Sequence, residues 1–345
     1  MRPEQWKKFR QAVESPYSQG SDPVIALIID SPWLPGFMGI SHLDYFFCPK
    51  TWLDVNINIY RRFPDICFIP GFWVEYGMAI EPSAFGVKIK WWDNNTPSIE
   101  PILGEDWSAH TTLAPPNPTT DGLMAVTLHM YKQYLPEIEN AGHVVKFASA
   151  RGPLALASHL QGLTGFLLDL ELNPNQAKKL LEVTAETVIR WLKAQIEVLP
   201  DIEAILLLDD IPGMLSSRHF DTFAYPYLKA VFDAFPDYLK VYHNDANIEP
   251  FIERLPDLGI DVLNFTHNID LVKAAEALGD SVCLLGNLPP VSLLVDGSPE
   301  EVEEETHLLL KKAAGRKLIL SVGGGVSPGT PGENLDALVA AALNR

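Results

Sequence analysis

An imidazole and a carboxylate one residue apart, His243 and Asp245, follow the apolar pair Val241-Tyr242. On an extended strand, residues i and i+2 point to one face, so both side chains can serve one ion or one substrate. A mixed nitrogen and oxygen donor set with an open position suits a catalytic zinc ion. A hydrogen-bonded structural histidine is the plainer reading of the same pair. Similar groups stand at similar places: Asp209-Asp210 follows Ile205-Leu206-Leu207-Leu208, Asn264 follows Ile260-Asp261-Val262-Leu263, and His267 comes just after. Glu75 and Glu81 lie among apolar residues, where an unpaired charge is costly to bury. They are candidate metal ligands or catalytic acids, or partners of buried arginines. Arg151 follows the run Val144-Val145-Lys146-Phe147-Ala148 and is placed to hold an anionic substrate group. It is equally placed to bridge to Glu75, Glu81 or Asp210. Gly323-Gly324-Gly325 lacks the helix that should follow a phosphate loop at once, because Ser327-Pro328-Gly329 intervenes. It reads as a tight, substrate-facing turn around Gly324.

These groups need a scaffold that gathers strand ends. Short branched apolar runs occur near residues 24, 66, 144, 204, 239, 260, 282 and 317, each too short for a helix. From residue 204 onward, every run is expected to lead into a helix. Helices are also predicted over 49–62, up to about 141, over 173–199 with Asn173 as cap, and from about 334 to the end. Residues 1–22 read as an amphipathic leader helix and a polar loop, and 86–112 as short strands with a hairpin at Asp93-Asn94-Asn95. The Pro-, Gly- and aromatic-rich segment from Asp30 to Gly39 either covers a site or packs under the core. Alternating strands and helices without a compositional break imply one (β/α)8 barrel domain over 1–345, with an open doubly wound sheet as the rival. In both architectures the chemistry gathers at the carboxyl ends of the strands.

Composition narrows the partners. Forty-four acidic against 26 basic residues give a net charge of −18, which disfavours nucleic acid and anionic membranes. No apolar run is long enough for a membrane span. The residues after Met1 lack the apolar core of a signal peptide, and Cys48, Cys67 and Cys283 have no close spacing. A cytoplasmic protein without a disulfide framework is expected.

Several motifs together resemble the uroporphyrinogen decarboxylase superfamily, in its branch of corrinoid-dependent methyltransferases and O-demethylases. They are Pro82-Ser83-Ala84-Phe85-Gly86, the Asp209-Asp210 strand end, His243-Asn244-Asp245, Leu285-Gly286-Asn287, and the stretch from Gly323-Gly324-Gly325 to Thr330-Pro331-Gly332-Glu333-Asn334. The resemblance implies a (β/α)8 barrel. The decarboxylases carry an arginine-rich N-terminal motif and an aspartate before Pro-x-Ala-x-Gly. Here Asp30-Ser31-Pro32-Trp33 has no such arginines, and Gly77 takes the aspartate's place. The zinc methyltransferases hold their metal with His-x-Cys and a later Gly-Cys-Gly. His243 carries over, Asp245 replaces a thiolate, and the third ligand is lost at Gly324. Glu75, Glu81 and His267 are the candidates to replace it.

The resemblance implies a methyltransferase that moves a methyl group between a small-molecule donor or acceptor and a corrinoid (cobalamin) on a separate protein. Zinc would be held by His243, Asp245 and a further carboxylate. Arg151 and Asp210 would orient the substrate, Trp33, Phe72 and Trp73 would line an apolar pocket, and Tyr76, Asn264 and Gly324 would join them in contacting the substrate. A site with few soft thiolates suits an oxygen substrate such as a methyl ether. The alternative is a metal-free lyase acting on a tetrapyrrole, with Asp210, Tyr76 or His243 as acid or base. A homodimer is compatible with both.

Overall fold

A computed structural model describes residues 1–104 and 113–344. Two short strands come first, β1 (Ala26–Ile28) and β2 (Cys67–Ile69), paired in parallel. An antiparallel hairpin follows, β3 (Lys88–Trp92) with β4 (Asn95–Glu100). The main sheet then takes its strands in chain order: β5 (Phe147–Arg151), β6 (Ala204–Leu208), β7 (Leu239–Asn244), β8 (Val262–Phe265), β9 (Cys283–Leu288) and β10 (Leu318–Val322). Every pair in this six-stranded sheet is parallel. Two isolated bridges, Ile25 to Leu320 and Ile28 to Gly325, continue the parallel order from β10 to β1. The chain is thus an α/β protein.

All residues of β1, β2, β5, β6, β8, β9 and β10 are buried, as expected of parallel strands covered on both faces. That double burial explains why their sequences read as unbroken apolar runs rather than alternating ones. The helix Pro174–Val198 shows how the cover also positions the sheet. It buries Leu181, Thr184, Val188, Trp191, Leu192 and Gln195, spaced three and four apart along one face. Gln195 then clamps β5: its Oε1 accepts from the Ser149 amide at 3.0 Å, and its Nε2 donates to the Ser149 carbonyl at 2.9 Å. Arg151 lies two residues further on the same face of that strand.

Some local expectations change. No α-helix follows β7; the 3₁₀ turns Glu249–Arg254 and Pro256–Leu258 stand there instead. Pro250 and Pro256 lack the amide hydrogen that a longer helix would need. Asn173 precedes the long helix but makes no side-chain cap, because its Nδ2 donates to Asp169 Oδ1 at 2.6 Å. The leader helix spans Pro3–Glu14. The hairpin forms with its turn at Asp93-Asn94, whereas the remaining strands expected over 105–112 lie outside the described residues. No described helix is long and apolar enough to cross a membrane.

Candidate active site

The carboxyl ends of β6 and β7 bring three groups together. Asp210 follows β6, His243 lies within β7 and Asp245 follows it; their ligand-capable atoms all fall within 4.8 Å of one another. His243 Nε2 is 3.5 Å from Asp210 Oδ1 and 4.0 Å from Asp245 Oδ2. The Asp245 backbone amide donates to Asp210 Oδ1 at 3.1 Å, which ties the two strand ends together.

The imidazole is oriented from behind. Asn264 stands beside His243 in the sheet register. Its Nδ2 donates to the carbonyls of Leu285, at 2.7 Å, and Val322, at 3.0 Å. The amide is therefore fixed with Oδ1 toward His243 Nδ1, 2.7 Å away. A carbonyl oxygen only accepts, so Nδ1 must carry the hydrogen, and in the neutral ring the Nε2 lone pair faces the two aspartates. Asn264, expected as a substrate contact, is buried and serves as this support instead.

Beside the cluster lies a cavity of about 520 Å³. Asp210, His243 and Asp245 line it together with Arg151, His159 and Asp30, and with apolar side chains that include Ile28, Leu208 and Val326. The hairpin adds Thr96, Pro97, Ser98 and Ile99 to the wall, and the glycine turn adds Gly325. Two of these ionisable groups were not expected from the sequence. Asp30 carried a usable signal, since the first apolar run ends on it as the later runs end on theirs. Burial pushes its carboxyl up, while Arg151 and His243 pull it down. His159 had no such signal, because it sits inside the helix Pro153–Gln161 rather than at a strand end. Burial, aided by Arg151, pushes its imidazole down to about 4.

The other expected ligands do not join the cluster; Asp210 supplies its third donor. Glu75 is satisfied elsewhere: Oε1 accepts from the Ser31 amide at 2.7 Å, and Oε2 from Ser31 Oγ at 3.0 Å and the Gly77 amide at 2.6 Å. Glu81 Oε1 accepts from the Arg151 backbone amide at 2.9 Å. Among the described residues, neither glutamate forms a salt bridge with an arginine. His267 is exposed and outside the cluster. The expected aromatic lining is also placed differently. Trp33 stacks on Phe37 and donates to the Thr330 carbonyl at 3.0 Å. Phe72 stacks on Tyr60, and Tyr76 directs its hydroxyl to Met130 Sδ. Trp73 meets the site only indirectly, under the Arg151 guanidinium. In the glycine turn it is Gly325 that lines the cavity. A Cβ on Gly324 would stand 2.7 Å from Asp245 Oδ2, so this glycine makes room for the cluster.

Glu75 yields a test of stability. Burial first, then the neighbouring Asp30, pushes its carboxyl up to about 8. The folded chain therefore keeps a proton that an unfolded glutamate releases near pH 4.3. The linked stability is fully present below about pH 4.3 and is lost as pH rises through about 8. Glu75→Gln removes this titration. Urea unfolding from about pH 5 to 9 should show the wild type losing stability relative to the variant as pH rises. Parallel pH profiles would refute the assignment.

A parallel α/β sheet with an ionisable cluster and a cavity at its strand ends defines the class of protein. The chain belongs to the uroporphyrinogen decarboxylase (URO-D) family, whose model matches residues 36–344. A uroporphyrinogen decarboxylase from Synechococcus sp. (strain CC9605) is 34% identical over 174 residues, covering 48% of this chain and 46% of the relative. One from Chloroherpeton thalassium (strain ATCC 35110 / GB-78) is 35% identical over 176 residues, covering 48% of each. The chain spans about half the length of the curated relatives it matches. A methyltransferase from Methanosarcina mazei shares the fold, with a TM-score of 0.81 over 98% of both chains at 21% identity.

Proposed function

We propose that the chain is a methyltransferase on a (β/α)8 barrel, moving a methyl group between a small substrate and a corrinoid carried by a separate protein. The strand order, with β1 bridged to β10, supports the barrel. The observation that carries the reaction is the Asp210–His243–Asp245 set, with its imidazole locked by Asn264. One neutral imidazole nitrogen and two carboxylate oxygens fit a three-ligand zinc site with an open position. Cys67 and Cys283 are buried, with thiols pushed up to about 12, and take no part in it.

A bound divalent ion would act as a Lewis acid on the substrate heteroatom. The chain's own residues do the rest. Asn264 holds the imidazole in one tautomer. The Asp245 amide keeps Asp210 beside it, and the hairpin closes part of the wall around the substrate. An oxygen-centred leaving group, such as that of a methyl ether, matches this hard donor set. No residue of this chain is assigned to the corrinoid.

Tetrapyrrole decarboxylation is the second reading, favoured by the names of the sequence relatives. Against it stands the cavity's charge. Arg151 is the one arginine or lysine in the described lining, set against Asp30, Asp210 and Asp245. A polycarboxylate substrate needs more cations than that. The deciding experiment incubates the zinc-loaded protein with free reduced cobalamin and a methyl ether, alongside a second reaction with uroporphyrinogen. Methylcobalamin absorbance without carbon dioxide release is expected. Carbon dioxide from uroporphyrinogen, with no methylcobalamin, would overturn the proposal in favour of the lyase.

A further inference from the structure

Arg151 is only 8% exposed, yet it lines the cavity. Its backbone amide is taken by Glu81. Its guanidinium lies over the Trp73 ring, 5.5 Å from the centroid, a contact that uses none of its N–H groups. Asp30, Glu75 and Glu81 all feel its charge, but none forms a salt bridge with it. A largely buried arginine whose guanidinium makes no hydrogen bond to protein among the described residues leaves its N–H groups to the cavity it lines, where a ligand can take them. His159 lines the same cavity; its Nδ1 is sealed from it, without a hydrogen-bond partner among the described residues, which leaves Nε2 to meet a ligand.

The surroundings decide which anion fits. A phosphate would call on the free amides at the start of the helix Pro153–Gln161, next to Arg151 in the chain. Those of Leu154 and Ala155 are already spent on Asp209, at 2.9 and 3.0 Å. The Gly152 amide is bonded to the Leu208 carbonyl at 2.8 Å. A single planar fork with one neighbouring imidazole matches one carboxylate rather than a dianion. The remaining wall includes apolar Ile28, Leu208 and Val326.

We infer that Arg151 and His159 form an anion subsite, and that the substrate is a small monocarboxylate with an apolar body. Its reacting end would lie at the Asp210–His243–Asp245 cluster. That last step rests on the methyltransferase reading; the subsite itself does not.

Calorimetric titration with 4-methoxybenzoate tests the subsite, with neutral 4-methoxybenzamide as the control on the unaltered protein. The acid should bind at least about tenfold more tightly than the amide. Arg151→Gln should weaken acid binding by about 10- to 100-fold, and Arg151→Lys should retain part of it. Equal binding of acid and amide, unchanged binding by a folded Arg151→Gln variant, or no binding of the acid at all would overturn the inference. Binding through Arg151 without methyl transfer to cobalamin would keep the subsite and remove the methyltransferase reading. Methyl transfer without dependence on Arg151 would do the opposite.

Discussion

Replacing His243 with alanine is expected to eliminate both divalent metal binding and turnover. Protein purified without chelator should carry about one equivalent of zinc, as a site with three protein ligands would, and the variant should carry almost none. Loss of a nitrogen donor from a set of only three leaves two carboxylates, which hold zinc weakly at neutral pH. Turnover should fall by on the order of a thousandfold, since the metal's polarisation of the substrate disappears with the ligand. The variant also leaves Asn264 Oδ1 without its 2.7 Å partner, a buried loss of about 1–3 kcal/mol. Circular dichroism at the assay temperature separates that penalty from the loss of chemistry. A folded variant with wild-type zinc content and rate would remove His243 from the mechanism.

The second large effect is on stability, and it separates two adjacent aspartates. Asp209 is fully buried, and its two oxygens accept from the Leu154 and Ala155 amides at the start of a helix. Gly152 supplies the space, because any Cβ there would collide with the Asp209 carboxylate. Asp209→Ala strands both amides and should cost about 3 kcal/mol in denaturant unfolding. Asp210 points the other way, into the cavity. Asp210→Asn keeps an oxygen for the Asp245 amide but loses the charge. Its stability should change by less than about 0.5 kcal/mol, while zinc affinity falls at least about tenfold. Equal destabilisation by both substitutions would show that this division of labour is wrong.

The strands and their ionisable ends were legible in the sequence because both have local causes. Double burial writes an apolar run, and the site writes a polar residue directly after it, as at Leu208 before Asp209-Asp210. The pairing of His243 with Asp245 follows from strand geometry alone. What a buried carboxylate faces has no local cause. Glu75 meets Ser31, 44 residues away, and Glu81 meets Arg151, 70 residues away. Backbone amides satisfy them, and an amide leaves no trace in the sequence. The same holds for Asn264, whose role depends on carbonyls from β9 and β10. Trp33, Phe72 and Tyr76 were expected at the substrate, yet aromatic side chains fill cores as readily as they line cavities.

The hairpin of β3 and β4 stands outside the parallel sheet, held at its base by ion pairs from Glu100 to Lys88 and Lys90. Its residues 96–99 shape the cavity but contribute none of the three clustered donors. Part of the cavity wall and the clustered donors are therefore written in separate parts of the chain. A lineage can retune this hairpin by drift, or an engineer can exchange it, without disturbing the strand ends. Diversification of such enzymes would accordingly leave its record in residues 88–100 before it reached His243.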